Sequence, residues 1–229
     1  MESRLPRYVL PLFFGILGTV VLVSLGTWQL QRLVWKEGVL DEIAARIEAA
    51  PVAVPANPDP QRDRYLSVSA SGAFTGEELH ILASTRHVGA VYRVISPFET
   101  TDGRRIMVDR GWIKPPQKDA ERPAGPATIT GNLHWPDEID GFTPESDAEK
   151  NIWFARDVPT LADVLGTEPV LIILRETSET DPPVTPLPID GAAIPNDHLE
   201  YVVTWYGLAI VWVLMTVYYL RRLRKTRKA

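Results

Sequence analysis

The sequence contains no cysteine. That absence excludes a redox dithiol, a thiolate copper carrier, an iron–sulfur site and covalent c-type haem attachment. A domain of this size can close its core without disulfides. Histidine is scarce, with four residues at 80, 87, 134 and 198, and none has the spacing of a metal-ligand pair with a carboxylate partner. His80, His87 and His134 are expected as surface or half-buried strand residues. No Ser/His/Asp nucleophile signature is present, and no glycine-rich phosphate loop follows a strand. The chain is therefore expected not to be an enzyme. An extracytoplasmic hydrolase, the enzyme alternative, would need a clustered nucleophile and base.

Charge is missing from two long stretches. Tyr8 to Leu30 is a run of 23 residues without a charge, and Tyr201 to Leu220 is a second run of 20. At 1.5 Å per residue each is long enough to cross a hydrocarbon core of about 30 Å. The first run is longer than a secretory h-region and lacks a small-residue cleavage site, so it is expected as an uncleaved anchor. The seven residues before it do not resemble a mitochondrial presequence, which points to a bacterial protein. Gly15 and Gly18, inside the first run, suit close helix packing, with Gly207 as a further contact.

The charges that remain are asymmetric. The net charge of -5 divides into +1 for residues 1–7, -12 for residues 31–200 and +6 for residues 221–229. Basic residues beside membrane ends stay cytoplasmic. The expected topology is a cytoplasmic N-terminus at 1–7, a transmembrane helix at 8–30, an extracytoplasmic (periplasmic) domain at 31–200, a second transmembrane helix at 201–220 and a basic cytoplasmic tail at 221–229. The protein would then be a multi-pass protein of the bacterial inner membrane. The tail is expected to lie against anionic lipid, with no nucleic-acid partner.

Between the two runs, Val39, Ile43 and Ile47 continue a helical period to about Ala50. Four prolines in Pro51–Pro60 then make an extended link. Strand-like segments follow at Tyr65–Ala70, Leu79–Ala83, Ala90–Pro97, Arg105–Val108, Thr128–His134, Ile152–Ala155 and Val170–Leu174. Thr101-Asp102-Gly103 is a hairpin turn signal, and Pro159–Leu165 is a short helix stopped by Gly166. The expected fold is a membrane α-helical hairpin plus an α+β domain dominated by an antiparallel sheet, with a partly closed barrel as one form of it. Strand order is not legible. Residues 181–195 hold five prolines and return the chain, extended, to the membrane.

His198 stands at the mouth of the second helix. With a helix starting near Asn196, His198, Tyr201, Trp205 and Trp212 share one face. A neutral imidazole is a suitable axial ligand for haem iron, and aromatic rings can flank a porphyrin. An interfacial histidine above an ordinary aromatic belt is the competing interpretation. On the first helix Trp28, Arg32 and Trp35 form one stripe, with Gln29, Arg32 and Lys36 beside it. Interfacial tryptophans and snorkelling cations explain this arrangement without a ligand. Cations just outside the membrane, however, run against the positive-inside pattern and suggest an acidic partner, such as haem propionates or lipid phosphates.

Four motifs resemble the Surfeit locus protein 1 family of cytochrome c oxidase assembly factors. They are Leu-Gly-Thr-Trp-Gln-Leu-Gln-Arg-Leu-Val-Trp-Lys at 25–36, Gly-Ala-Val-Tyr-Arg-Val-Ile-Ser-Pro-Phe at 89–98, Val-Asp-Arg-Gly-Trp-Ile at 108–113, and Pro-Asn-Asp-His-Leu-Glu-Tyr-Val-Val-Thr-Trp-Tyr-Gly-Leu-Ala at 195–209. Their order and spacing, with two terminal helices, agree over nearly the whole chain. The chain departs from the family pattern at Asp109, Asp197 and Glu200, where Asn, Asn and Gln are expected. The resemblance implies a non-enzymatic chaperone that binds haem a transiently and assists its insertion into the catalytic subunit of haem–copper cytochrome c oxidase. Haem a synthase is a second candidate partner. His198 matches the family's histidine and would be the axial ligand to the haem iron. Trp205 and Trp28 would contact the macrocycle, and Arg32 and Arg110 would be candidate propionate contacts. The alternative is a membrane scaffold that stabilises an oxidase assembly intermediate without touching haem.

Overall fold

The structure is a computed structural model and describes residues 8–85, 88–122, 124–189 and 196–225. Residues 1–7, His87, Pro195 and the tail from 226 lie outside the described residues. The chain divides into two compact units. One comprises Met1–Glu42 with Ala192–Ala229, and the other comprises Ile43–Gly191.

The first unit is built from helix α3 (His198–Lys225) and helix α1 (Val9–Glu48) up to Glu42. Helix α1 has 40 residues and continues past the apolar run, as the period of Val39, Ile43 and Ile47 predicts. Pro51 follows three residues beyond its end, where its ring and missing N–H prevent continuation. Both helices are long and apolar enough to cross a membrane. They are not buried core helices, because Phe13, Ile16, Val203 and Leu214 are each more than half exposed. Apolar surface on that scale is stable only against lipid or a partner.

The second unit is a seven-stranded mixed sheet with one short helix. Its strands are β1 (Val52–Ala53), β2 (Ser67–Phe74), β3 (Leu79–Thr85), β4 (Gly89–Thr100), β5 (Arg105–Ile113), β6 (Pro126–Leu133) and β7 (Leu171–Thr177). Helix α2 (Val158–Leu165) lies between β6 and β7. The strand order is β1-β2-β6-β7-β5-β4-β3, and an additional β2–β4 pairing turns the middle strands into a ring that is partly closed. Gly72 makes the closure possible. It pairs with Ala127 of β6 and with Thr100 of β4, and a Cβ there would stand 2.0 Å from the Glu99 carbonyl oxygen.

Strands β5 and β7 pair in parallel, Met107 opposite Leu171 and Val108 opposite Ile172. Around these paired residues, Ile106–Val108 and Leu171–Leu174, both strands are apolar on both faces, as expected for strands covered on each side. Ile106, Val108, Ile172 and Leu174 fill the ring with Val68, Phe98, Ile129 and Leu133. Met107, Leu171 and Ile173 point the other way, against Leu161 and Leu165 of α2. Helix α2 begins after Asp157 and ends at Gly166, whose left-handed φ of 60° stops it.

Three expectations need correction. Strand β2 begins at Ser67 rather than Tyr65, because Tyr65 holds a left-handed φ of 68°. Ile152–Ala155 is not a strand. Trp153 exchanges backbone bonds with His80 and Leu82 at one isolated bridge, and Ile152 bonds locally to Asp147. The proline-rich segment from 181 is more than a return linker: Val184 is buried with Val94 and Ile113, and Thr185 bonds Trp112 in both directions. Gly111, at φ 120°, admits that segment, since a Cβ there would lie 2.0 Å from the Thr185 carbonyl.

Candidate functional site

In the first unit the two helices run antiparallel and meet through small residues. Thr216 sits against Gly15, where a Cβ would be 2.3 Å from its methyl, and the Trp212 indole covers Gly18. Trp212 Nε1 also donates to the Gly15 carbonyl at 3.1 Å. Tyr206 lies against Gly26, and its hydroxyl is 3.1 Å from Thr27 Oγ1. Thr27 already donates to the Val23 carbonyl at 2.8 Å, which leaves the Tyr206 hydroxyl as the donor. The glycine contact expected at Gly207 is absent, with no side chain within 4 Å of the place a Cβ would take. Apolar grooves flank this seam. One is lined by Thr19, Val23, Tyr206, Ala209 and Val213, and another by Leu12, Gly15, Thr216 and Leu220.

His198 is the first residue of α3. It is half-buried, and its Nδ1 lies 2.8 Å from Gln29 Oε1 on α1. Gln29 itself is buried, 8% exposed. No hydrogen bond engages His198 Nε2 among the described residues. The ring is thus held at one nitrogen with the other available, a donor set that fits a single axial bond to haem iron. Trp205 lies seven residues along the same face, half-buried. Trp28 precedes Gln29 by one residue and is 50% exposed, so its ring lies off the packed seam. The Arg32 guanidinium stands 5.9 Å from the Trp28 ring and 5.3 Å from the Trp35 ring. Arg32 is exposed and has no carboxylate partner among the described residues. The structure therefore brings His198 to Gln29 and Arg32 to Trp28 and Trp35. Gln29 is the residue that sequence reasoning passed over, having placed it only in a polar stripe with Arg32 and Lys36. Its signal was an amide on the last uncharged turn of an apolar helix.

Arg110 belongs to the second unit. Its side chain is 3% exposed, bonds Glu179 at 2.8 Å and lies 4.1 Å over the Phe74 ring. Burial lowers its pKa, and Glu179 opposes that shift. Asp109, one of the departures from the family pattern, is fully buried and paired with Arg93 at 2.8 Å and Arg156 at 3.3 Å. It presents no free negative charge. Asp197 and Glu200 are both exposed.

Of the described histidines of the second unit, His134 is half-buried as expected, whereas His80 is buried rather than at the surface. His80 is 4% exposed and bonds Glu78 at 2.8 Å, with Arg122 and Asn151 completing the cluster. Burial opposes ionisation of Glu78, but His80 and Arg122 outweigh it and hold the carboxyl at about 2. His134 stacks on Tyr65, and burial, reinforced by Arg156 and Arg64, pushes it down to about 4. Among the described residues no group of three or more His, Asp or Glu is placed to hold a metal ion.

The model of the SURF1 family matches residues 16–210. Surfeit locus protein 1 of Homo sapiens is 32% identical over 216 residues, covering 83% of this chain and 71% of its own. A SURF1-like protein of Monosiga brevicollis is 31% identical over 92% of this chain and 88% of its own. A SURF1-like protein of the bacterium Rickettsia conorii is 30% identical, over 92% and 91% respectively. The matched stretch takes in α1 from Ile16, the whole sheet and the first turns of α3 with His198, and this chain belongs to the SURF1 family.

Proposed function

We propose that this protein is a non-enzymatic assembly factor for haem–copper cytochrome c oxidase, one that holds haem a transiently and assists its insertion into the catalytic subunit. Family membership supports the oxidase role. The observation that carries the haem assignment is His198, at the start of α3, with Nδ1 fixed to α1 and no partner on Nε2 among the described residues. In this role His198 would supply one nitrogen to the haem iron, Trp205 and Trp28 would offer ring faces to the macrocycle, and Arg32 would offer a cation to a propionate. Arg110 is left out, because its guanidinium is already committed to Glu179 and Phe74. One axial histidine suits a cargo that must leave, since each further ligand would deepen the well from which transfer starts.

The charge distribution supports the accompanying topology: both termini cytoplasmic, residues 8–30 and 201–220 in the inner membrane, and residues 31–200 in the periplasm. The sheet unit then serves as the docking element for the oxidase subunit, and haem a synthase is the natural source of the cargo. The test is co-purification. Wild-type protein made in cells that synthesise haem a should carry its absorption bands, and His198→Ala should lose them. Equal haem content in the two proteins, with oxidase assembly intact, would establish the scaffold alternative instead.

A further inference from the structure

Gln29 is a polar side chain at the end of an apolar stretch, buried, with its amide oxygen 2.8 Å from His198 Nδ1. A buried amide is costly unless its hydrogen-bonding groups are used, and no lipid or aliphatic neighbour can use them. A leucine or methionine would fill the same space at lower cost. We propose that Gln29 is the positioning residue for His198. The Nδ1–H donates to the Gln29 amide oxygen, which fixes the imidazole as the Nδ1–H tautomer and directs the Nε2 lone pair outward to iron. This inference rests on the assignment of His198 as the haem ligand.

The identity of the partner matters as much as its position. Histidine ligands usually donate their second N–H to a carboxylate, a backbone carbonyl or water, and that partner sets ring orientation and ligand basicity. A carboxylate would draw the proton towards itself and make the ring a stronger donor. A neutral amide orients the ring and adds no charge, so the iron–nitrogen bond stays at the strength of an ordinary imidazole. That is the better choice for a carrier whose cargo must depart. The bond also joins two helices whose residues stand 169 positions apart in the chain. The ring is therefore set only while α1 and α3 are paired, and separating them frees it to turn.

The first test needs no haem. Nitrogen-15 NMR of the full chain, labelled at histidine and held in lipid nanodiscs, reports which ring nitrogen of His198 carries the proton. The expected result is a proton on Nδ1 in the wild type and a shift towards the Nε2–H form in Gln29→Met, which keeps the length and loses the acceptor. A proton on Nε2 in the wild type would mean that the amide donates to the ring, and would overturn the inference. The second test uses haem a. Gln29→Met should weaken binding by about 10–100-fold, the usual effect of removing the partner behind a metal-bound histidine. Gln29→Glu should restore binding, slow its release and lower the reduction potential of the bound iron. Loss of haem in His198→Ala, with tautomer, release rate and potential unchanged in both Gln29 variants, overturns this inference and leaves the ligand assignment standing. Haem retained by His198→Ala overturns both.

Discussion

Arg110 and Arg32 both lie beside aromatic rings, and their surroundings give them different roles. Arg110 is enclosed by Phe74 and Glu179 within the sheet unit, with 3% of its side chain exposed. Removing one partner of a buried ion pair strands the other, at a cost of about 3–5 kcal/mol. Arg110→Ala is therefore expected to lower the stability of the sheet unit by roughly that amount in denaturant unfolding, leaving haem content unchanged in the protein that folds. Arg32 is exposed and has no carboxylate partner among the described residues, so Arg32→Gln should leave stability within about 0.5 kcal/mol of wild type and reduce haem retention. Acid sensitivity is also decided by single residues. His134 is held neutral, down from 6.5 to about 4, so the unfolded chain takes up its proton at higher pH than the folded one. Its contribution is complete above 6.5 and falls as pH drops towards 4. Glu78 is held down from 4.5 to about 2, and its contribution is lost as pH falls through that lower window. Both act in the same direction. The thermal midpoint of the sheet unit should fall in two stages on acidification, and His134→Phe should flatten the upper stage while preserving the lower one.

At the scale of elements, the helices and most strands follow from local pattern. Charge-free length marks α1 and α3, the four-residue steps to Ile47 extend α1, and Gly166 ends α2. Six of the seven strand-like segments lie at the sequence positions expected for them, with ends a few residues off, because pairing partners and left-handed residues such as Tyr65 set the limits. The failure at Ile152–Ala155 has a different cause. An apolar, aromatic tetrapeptide looks like a strand from within, but only one of its residues reaches β3. Partial closure of the sheet was expected and is present, but that β2 and β4 make it, and that β5 and β7 pair in parallel, was not legible, since both pairings join segments distant in the chain. The site divides in the same way. His198 and the Trp28–Arg32–Trp35 stripe are features of one helix each and could be read. The Gln29–His198 bond depends on how two helices are rotated about their axes, which no single-helix period specifies. Helix pairing makes its own prediction. Gly18→Leu would drive a side chain into Trp212, whose Nε1 would be 2.4 Å from the new Cβ. Because the chain has no native cysteine, a disulfide between Thr19→Cys and Ala209→Cys reports pairing directly. Its yield should fall sharply with Gly18→Leu and stay at the control level with Gly207→Ala, which meets open space.

For the whole molecule, the proposed function assigns different work to the two units. The helix pair holds His198, Trp28, Trp205 and the exposed Arg32, while the sheet unit ties many of its charged side chains into internal pairs such as Arg93–Asp109 and Arg104–Glu168. Reporter fusions at residue 120 and at Ala229 should fall on opposite sides of the membrane; finding both in the cytoplasm would contradict the proposed topology. The central claim, that the helix pair carries haem a through His198, is tested most directly by resonance Raman spectroscopy of the haem a-loaded full chain. An iron–imidazole stretching band is expected in the wild type, shifting on nitrogen-15 histidine labelling and disappearing in His198→Ala. The same band surviving in His198→Ala and lost on replacing His80, His87 or His134 would place the ligand in the sheet unit and contradict the account.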